Sequence, residues 1–485
     1  MRPPFLSLMR SFATSLRLGI SLLLVGGMAA ASAADLAPTP YVKAPIAPSP
    51  GYDWTGFYAG VNLGYGAASD PMELSSFPGS SQRLVIGSAG ALGGAQLGYN
   101  FQAGGWVLGV EGDIQASGLR QSPICVSTCG STNIFLATQE LSWLATVRGR
   151  LGYSLGPALL YATGGAAFAR VKTSLSSALD PFPMVVGNFS ETKAGWTTGG
   201  GMEAALGGHW SARIEYLYAD LGRMSYSLAN PAPAPAPTRD FSTDVREHVF
   251  RVGLNYLMND VPHGPYASLA NAYAMAPTPA SWTGFYLGGN IGFGVGSGLG
   301  AYGEGGEDAD QTTFAPRSLN GGVQAGLNWQ AENLVLGVEA DFQLNDQRRA
   351  GCVFCDPLGQ LDFDAALLWF ATFRGRAGYA MGPVLIYGTG GAALGRVDTS
   401  YLDEFFGRAL ASGHFSDTKS GWTAGAGIEA ALSGRWTAKA EYLYLDLGRV
   451  AHDVPPTVPG GNVEQFWTTI HDHIFRVGLN YKVAP

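Results

Sequence analysis

The sequence is short of charge, of cysteine and of long apolar runs, and each shortage narrows what the protein can be. Charged residues are only 14% of the 485, a composition unlike that of an ordinary enzyme. The formal charge is −8 and no Lys/Arg run occurs, which argues against nucleic acid as a partner. Beyond Leu18–Ala30, no apolar stretch approaches the ~20 residues that a spanning helix needs. Four cysteines, with no His or Cys cluster near them in sequence, leave any metal short of two ligands. Glycine is abundant, at 69 residues, yet none of it forms a phosphate-cradling loop; it falls at turns and strand positions.

What the chain does have is alternation. Trp106–Ser117 (WVLGVEGDIQAS) returns as Leu334–Asn345 (LVLGVEADFQLN). In the second copy, Leu334, Leu336, Val338, Ala340, Phe342 and Leu344 share one face, and Glu339, Asp341 and Gln343 share the other. An alternation of this length suits a tilted strand crossing a bilayer, which needs ~9–11 residues. Arg2, Arg10 and Arg17 precede the apolar run, and Ala31-Ser32-Ala33 follows it, so residues 1–33 read as a cleaved secretory signal. Its loss would carry the formal charge from −8 to −11. Secretion, two-faced strands and the lack of a spanning helix place the protein in the Gram-negative outer membrane.

The whole unit is duplicated. Trp54-Thr-Gly-Phe-Tyr58 returns as Trp282–Tyr286, 228 residues on. Arg148-Gly-Arg150 returns as Arg374–Arg376, shifted by 226, and Phe250–Tyr256 returns as Phe475–Tyr481, shifted by 225. The slippage falls between these blocks, where loops belong. Residues 34–53 read as a Pro-rich periplasmic lead-in, 54–257 as barrel 1, 258–281 as a linker and 282–485 as barrel 2.

Repeat one is expected to hold eight strands, about 55–67, 87–102, 105–118, 139–154, 157–171, 194–207, 209–222 and 245–257. Short turns at Gln102–Gly105, Ser154–Pro157 and Gly207-Gly208 alternate with long connections, one of them Pro231–Pro237. Outer-membrane barrels show this asymmetry, with the short turns in the periplasm. Phe57, Val61, Leu63, Leu141, Trp143 and Val147 are expected to face lipid; the fifth strand, LLYATGGAAFARV, gives no clear assignment. Trp106, Trp210 and Tyr256 are placed for an aromatic girdle. The fold class is therefore all-β, two tandem eight-stranded antiparallel transmembrane barrels. The alternative is one sixteen-stranded barrel enclosing a channel.

WTGFYAGVNLGYG, GGAQLGYNF, GVEGDIQ, RGRLGY, GWTTGGGMEAAL, RIEYLYADLG and the terminal FRVGLNY together resemble the RopB-type surface-antigen barrels of alphaproteobacteria, a branch of the OmpA/opacity-like eight-stranded proteins. The resemblance covers nearly the whole mature chain, twice over. It implies a monomer-like outer-membrane barrel with roles in envelope integrity and surface interaction. The chain departs from that pattern in having two barrels, and in following Tyr481 with Lys-Val-Ala-Pro485 where such proteins usually end on an aromatic residue.

The polar faces of repeat one carry Glu111, Asp113, Glu203 and Glu215 against Arg148, Arg150, Arg213 and Arg251. Repeat two carries Glu339, Asp341, Glu429 and Glu441 against Arg374, Arg376, Lys439 and Arg476. An eight-stranded barrel is only wide enough for side chains to fill it, so these charges are expected to pair into a plug, in preference to a gated ion path. Cys125 with Cys129, and Cys352 with Cys355, read as loop-stapling disulfides in an oxidising envelope. His248 and His473 are expected at the start of the last strand of each repeat, near Asp244 and Asp472. No serine nucleophile with an orienting partner accompanies them, so no catalysis is expected. The acidic loop Glu304–Asp310 departs from calcium-loop spacing and reads as solvated. No cofactor or metal is expected. The partners expected are outer-membrane lipid and lipopolysaccharide, the outer-membrane assembly machinery, and an extracellular molecule met by the loops. Whether the two barrels touch is left open.

Overall fold

A computed structural model describes residues 52–77, 80–120, 124–125, 133–155, 157–179, 182–228, 239–258, 281–296, 298–304, 310–314, 316–347, 350–355, 359–432 and 434–483. The expectations for residues 1–51, Pro231–Pro237, the linker interior, Cys129 and the middle of the acidic loop lie outside the described residues. The strands are β1 (Gly56–Phe77), β2 (Ser80–Ala103), β3 (Trp106–Arg120), β4 (Ile124–Cys125), β5 (Asn133–Ser154), β6 (Ala158–Leu179), β7 (Phe182–Gly207), β8 (Trp210–Leu228) and β9 (Arg239–Leu257). The second repeat supplies β10 (Gly284–Gly296), β11 (Gly298–Glu304), β12 (Asp310–Phe314), β13 (Arg317–Ala331), β14 (Leu334–Asn345) and β15 (Ala350–Cys355). It ends with β16 (Gly359–Met381), β17 (Val384–Phe405), β18 (Arg408–Ala431), β19 (Trp436–Val454) and β20 (Glu464–Lys482).

Each repeat closes on itself. The first ring runs β1-β2-β3-β5-β6-β7-β8-β9 and is closed by β1 against β9, with Gly64 opposite Arg251. The second runs β10-β13-β14-β16-β17-β18-β19-β20 and is closed by β10 against β20, with Gly292 opposite Arg476. All neighbours are antiparallel, and the short β4, β11, β12 and β15 lie outside the rings. Two eight-stranded barrels form; a single sixteen-stranded one does not.

Alternation sorts the faces. Leu63 is 71% exposed, and Val61, Val110 and Val147 point outward with it, while Asn62, Gln96, Glu111 and Arg148 are buried inside. Trp210 packs on Tyr256 at the short-turn rim (ring centroids 5.1 Å apart), and Trp196 packs on Tyr218 farther up (5.3 Å). Trp210 and Tyr218 lie eight residues apart on β8. At ~3.3 Å per residue and ~40° of tilt that is about 20 Å, close to the ~25 Å apolar band of an outer-membrane barrel.

Two expectations need correction. The strands run well past the expected edges on the long-loop side, β7 reaching 26 residues, because backbone pairing continues beyond the end of the lipid-facing apolar stripe, with residues such as Leu175, Met224 and Phe241 still buried inside. Leu141 does not face lipid. The β5–β6 register slips between Leu141 and Trp143, which reverses parity and turns Leu141 into the lumen, where it is buried. On β6, the strand without a clear assignment, Leu159, Tyr161, Thr163 and Ala167 are buried while Leu160 and Phe168 are exposed.

The barrels pack side by side through a strip of outward-facing residues. Phe250 meets Phe475, its own counterpart, at 6.2 Å between ring centroids. Around this contact the others come in exchanged pairs: Tyr216–Phe475 at 5.8 Å with Phe250–Tyr442 at 5.9 Å, and His248–Phe293 at 4.8 Å with Tyr65–His473 at 4.1 Å. The contact is a pseudo-two-fold one. Towards the short-turn rim, Ala204, Ala430, Ala438 and Ala440 let the backbones approach closely.

Candidate functional site

The densest chemistry lies in the lumen. Alternation puts Glu111 and Asp113 of β3, Arg148 and Arg150 of β5, Glu203 of β7, Arg213 and Glu215 of β8 and Arg251 of β9 on the inner face. Register then sets Glu111 opposite Arg148, Glu203 opposite Arg213, and Glu215 opposite Arg251. Closure adds contacts across the lumen. Arg148 holds Glu111, and reaches Asp113 at 2.8 Å and Glu215 at 3.0 Å. Arg251 reaches Glu215 at 2.6 Å and Asp113 at 3.0 Å. Arg213 grips both oxygens of Glu111, and Arg150 pairs with Glu203.

Hydroxyls and amides complete the network. Tyr58 donates to Glu111 at 2.7 Å, Tyr161 to Glu215 at 3.0 Å and Thr146 to Asp113 at 2.8 Å. Ser211 and Asn255 donate to the free side of Glu203. The Arg150 guanidinium lies over the Tyr161 ring, 3.8 Å from its centroid. The expected network held the charges alone; Tyr58 and Thr146, on the polar face by alternation, and Tyr161, Ser211 and Asn255 join it in the structure.

Barrel 2 repeats the arrangement. Arg374 holds Glu339, and reaches Asp341 at 2.8 Å and Glu441 at 3.1 Å. Arg476 reaches Glu441 at 2.6 Å and Asp341 at 3.0 Å; Arg376 reaches Glu429 at 2.7 Å. Lys439 replaces the arginine of barrel 1, its Nζ bonding both oxygens of Glu339 at 2.9 and 3.0 Å. All sixteen charged residues are buried, Asp113 being the most exposed at 7%.

Apolar layers lie on either side of the charges. At the short-turn rim, Trp54 packs with Tyr52, Val107, Leu159 and Ala205, and its amide donates to Gln102 at 2.8 Å. Trp282 does likewise in barrel 2, over Val335 and Leu385. On the loop side, Leu144, Leu217, Leu221 and Val249 fill barrel 1, and Phe370, Leu443, Leu445 and Ile474 fill barrel 2. Pairing is strongest in such a low-dielectric setting, and an unpaired charge there is costliest.

The histidines are placed otherwise than expected. The last strands begin at Arg239 and Glu464, so His248 and His473 sit mid-strand and face outward, where the other barrel covers them. Nδ1 of His248 lies 2.7 Å from the Tyr216 hydroxyl, and Nδ1 of His473 lies 2.8 Å from that of Tyr442. Asp472 faces the lumen instead and accepts from Gln347 at 2.8 Å. Among the described residues, no His, Cys, Asp or Glu cluster is arranged to hold a metal. The side chains of Cys125, Cys352 and Cys355, like Cys129 and residues 305–309, lie outside what is described, and with them both disulfide expectations and the acidic loop.

The family model of the outer membrane protein beta-barrel domain matches residues 20–257 and again 266–482. The chain is similar to the 31 kDa outer-membrane immunogenic protein of Brucella melitensis biotype 1, with 36% identity over 47% of this chain and 92% of the relative. It is also similar to the 22 kDa outer membrane protein of Rhizobium leguminosarum bv. viciae, with 34% identity over 36% of this chain and 68% of the relative. Among solved structures, the attachment invasion locus protein Ail of Yersinia pestis aligns with 40% of this chain and 99% of its own, at 17% identity and a TM-score of 0.19.

Proposed function

The chain belongs to the outer membrane protein beta-barrel family, and from that premise we propose a non-catalytic envelope protein whose two lumens are plugged by paired charges. One observation carries this reading. In each lumen four acids and four bases are buried and in mutual contact, between apolar layers. A conducting path along these charges would have to break ion pairs whose separation in a dry lumen is costly. Each of the eight carboxylates in the two networks is already engaged by a cationic partner and is not free to act as a base or nucleophile. Strands of up to 26 residues, against the ~9–11 that span a bilayer, support a second task. They hold loops well clear of the membrane, where an extracellular partner is met. Lipid and lipopolysaccharide line the outer band, and the assembly machinery reads the terminal strand.

Conductance of the refolded mature protein in a planar bilayer tests the plug. The wild type is expected to be silent or to open rarely. Arg148→Ala combined with Glu111→Ala should lower stability and admit small currents. Large stable steps in the wild type, or a double variant unchanged in both stability and permeability, would overturn the reading. A porin built as one sixteen-stranded barrel is disfavoured by the separate closure of the two rings.

A further inference from the structure

The barrel–barrel contact is not filled along its whole length. Beside the ring cluster lies a cavity of about 270 Å³, walled by Leu63, Tyr65, Phe250 and Val252 of barrel 1 and by Tyr442 and Phe475 of barrel 2, with Ala426 at its edge. Leu63 and Val252 are 71% and 51% exposed, so the furrow opens sideways onto the lipid-facing band. Apart from the Tyr65 hydroxyl, its polar neighbours are already engaged. The Tyr442 hydroxyl is bonded to His473, and Glu215 and Arg251, which also border the cavity, pair with each other at 2.6 Å. A water there would lack the 2–4 polar partners that hold a buried one.

Depth narrows the occupant. Tyr256 marks the short-turn girdle, and Val252 and Phe250 stand four and six residues above it on β9. The upper girdle residue Tyr218 pairs with His248, only two residues beyond Phe250. The furrow therefore occupies the middle and the loop-side half of the band, at the depth of the outer leaflet, whose lipid is lipopolysaccharide.

We propose that this furrow is a lipid site, holding one acyl chain of lipopolysaccharide wedged between the two barrels. The chain completes the apolar packing that the rings leave open, and it makes the pseudo-dimer partly lipid-built.

The full-length protein, extracted from outer membranes in mild detergent, tests this by native mass spectrometry and analysis of the retained lipid. The wild type should keep one lipopolysaccharide per chain through detergent exchange. Ala426→Trp, which fills the furrow from barrel 2, should reduce retention at least tenfold. Ile114→Trp, on a lipid-facing position away from the furrow, should leave it unchanged. If Ala426→Trp fails to assemble, Val252→Trp fills the same space from barrel 1. No retained lipid in the wild type, a phospholipid in its place, or equal retention in the filled variants would overturn the proposal.

Discussion

The two barrels are a natural experiment in how one charge network tolerates change. Their acids match position for position, as do three of their four bases, but Arg213 in barrel 1 is Lys439 in barrel 2. Both serve chiefly one carboxylate, Glu111 or Glu339, and both stand a little under 4 Å from a second, Glu215 or Glu441. A compact ammonium can do that. Arg148 and Arg374 each span three carboxylates and also bond a threonine through Nε at 2.9 Å, which needs the guanidinium fork. The exchange is found where one point charge suffices.

The largest effect should come from removing an acid held by two arginines. Glu215→Ala takes one carboxylate from both Arg148 and Arg251 and leaves the barrel 1 network with more positive than negative charge, and Glu441→Ala does the same to Arg374 and Arg476. Each should cost its own barrel about 3–5 kcal/mol. Limited proteolysis, with the protected fragments of each barrel identified by mass, would read the loss. Equal protection of the altered and unaltered barrel would break the comparison.

Swapping bases sharpens it. Arg148→Lys should cost about 2 kcal/mol, since charged hydrogen bonds contribute roughly that each. Arg213→Lys, which copies barrel 2, should cost less than about 1 kcal/mol on the same scale. Denaturant midpoints of the two refolded variants decide, and equal shifts would sink the idea that the fork matters only at Arg148.

The smallest effect concerns a turn. Gly104 joins β2 to β3 at φ +62, and its counterpart Glu332 joins β13 to β14 at φ +51. A side chain in that left-handed region costs roughly 1–2 kcal/mol. Glu332→Gly should therefore stabilise barrel 2 by about 1 kcal/mol, and Gly104→Glu should destabilise barrel 1 by about as much. Unfolding midpoints that do not move in opposite directions would argue against strain at Glu332.

Much of this was legible because alternation is local. The inner face of β3 could be written down from Glu111 and Asp113 alone, and the duplication announced two copies of it. The strand ends above the membrane were not legible, since the outward apolar stripe stops at the membrane and only scattered inner residues such as Phe241 and Leu175 continue the pattern. Leu141 was misread because a one-residue slip near Ser142 has no signature in the alternation. His248 was placed at a strand start because the upper end of β9, which runs back to Arg239, was equally illegible, and only the neighbouring barrel covers its outward face. Ala204, Ala438 and Ala440, small residues on a face expected to be bulky, were the one available hint of that cover.

The sequence by itself determined the strands, their faces and the inventory of charges, because side-chain direction in a strand follows from backbone geometry two residues at a time. Tertiary structure decided which charges meet. Arg148 and Glu215 lie 67 residues apart on non-adjacent strands, and only the stagger at which the ring closes brings them to 3.0 Å. The seam between the barrels was decided in the same way, by the rotation of one closed ring against the other, which no local pattern encodes.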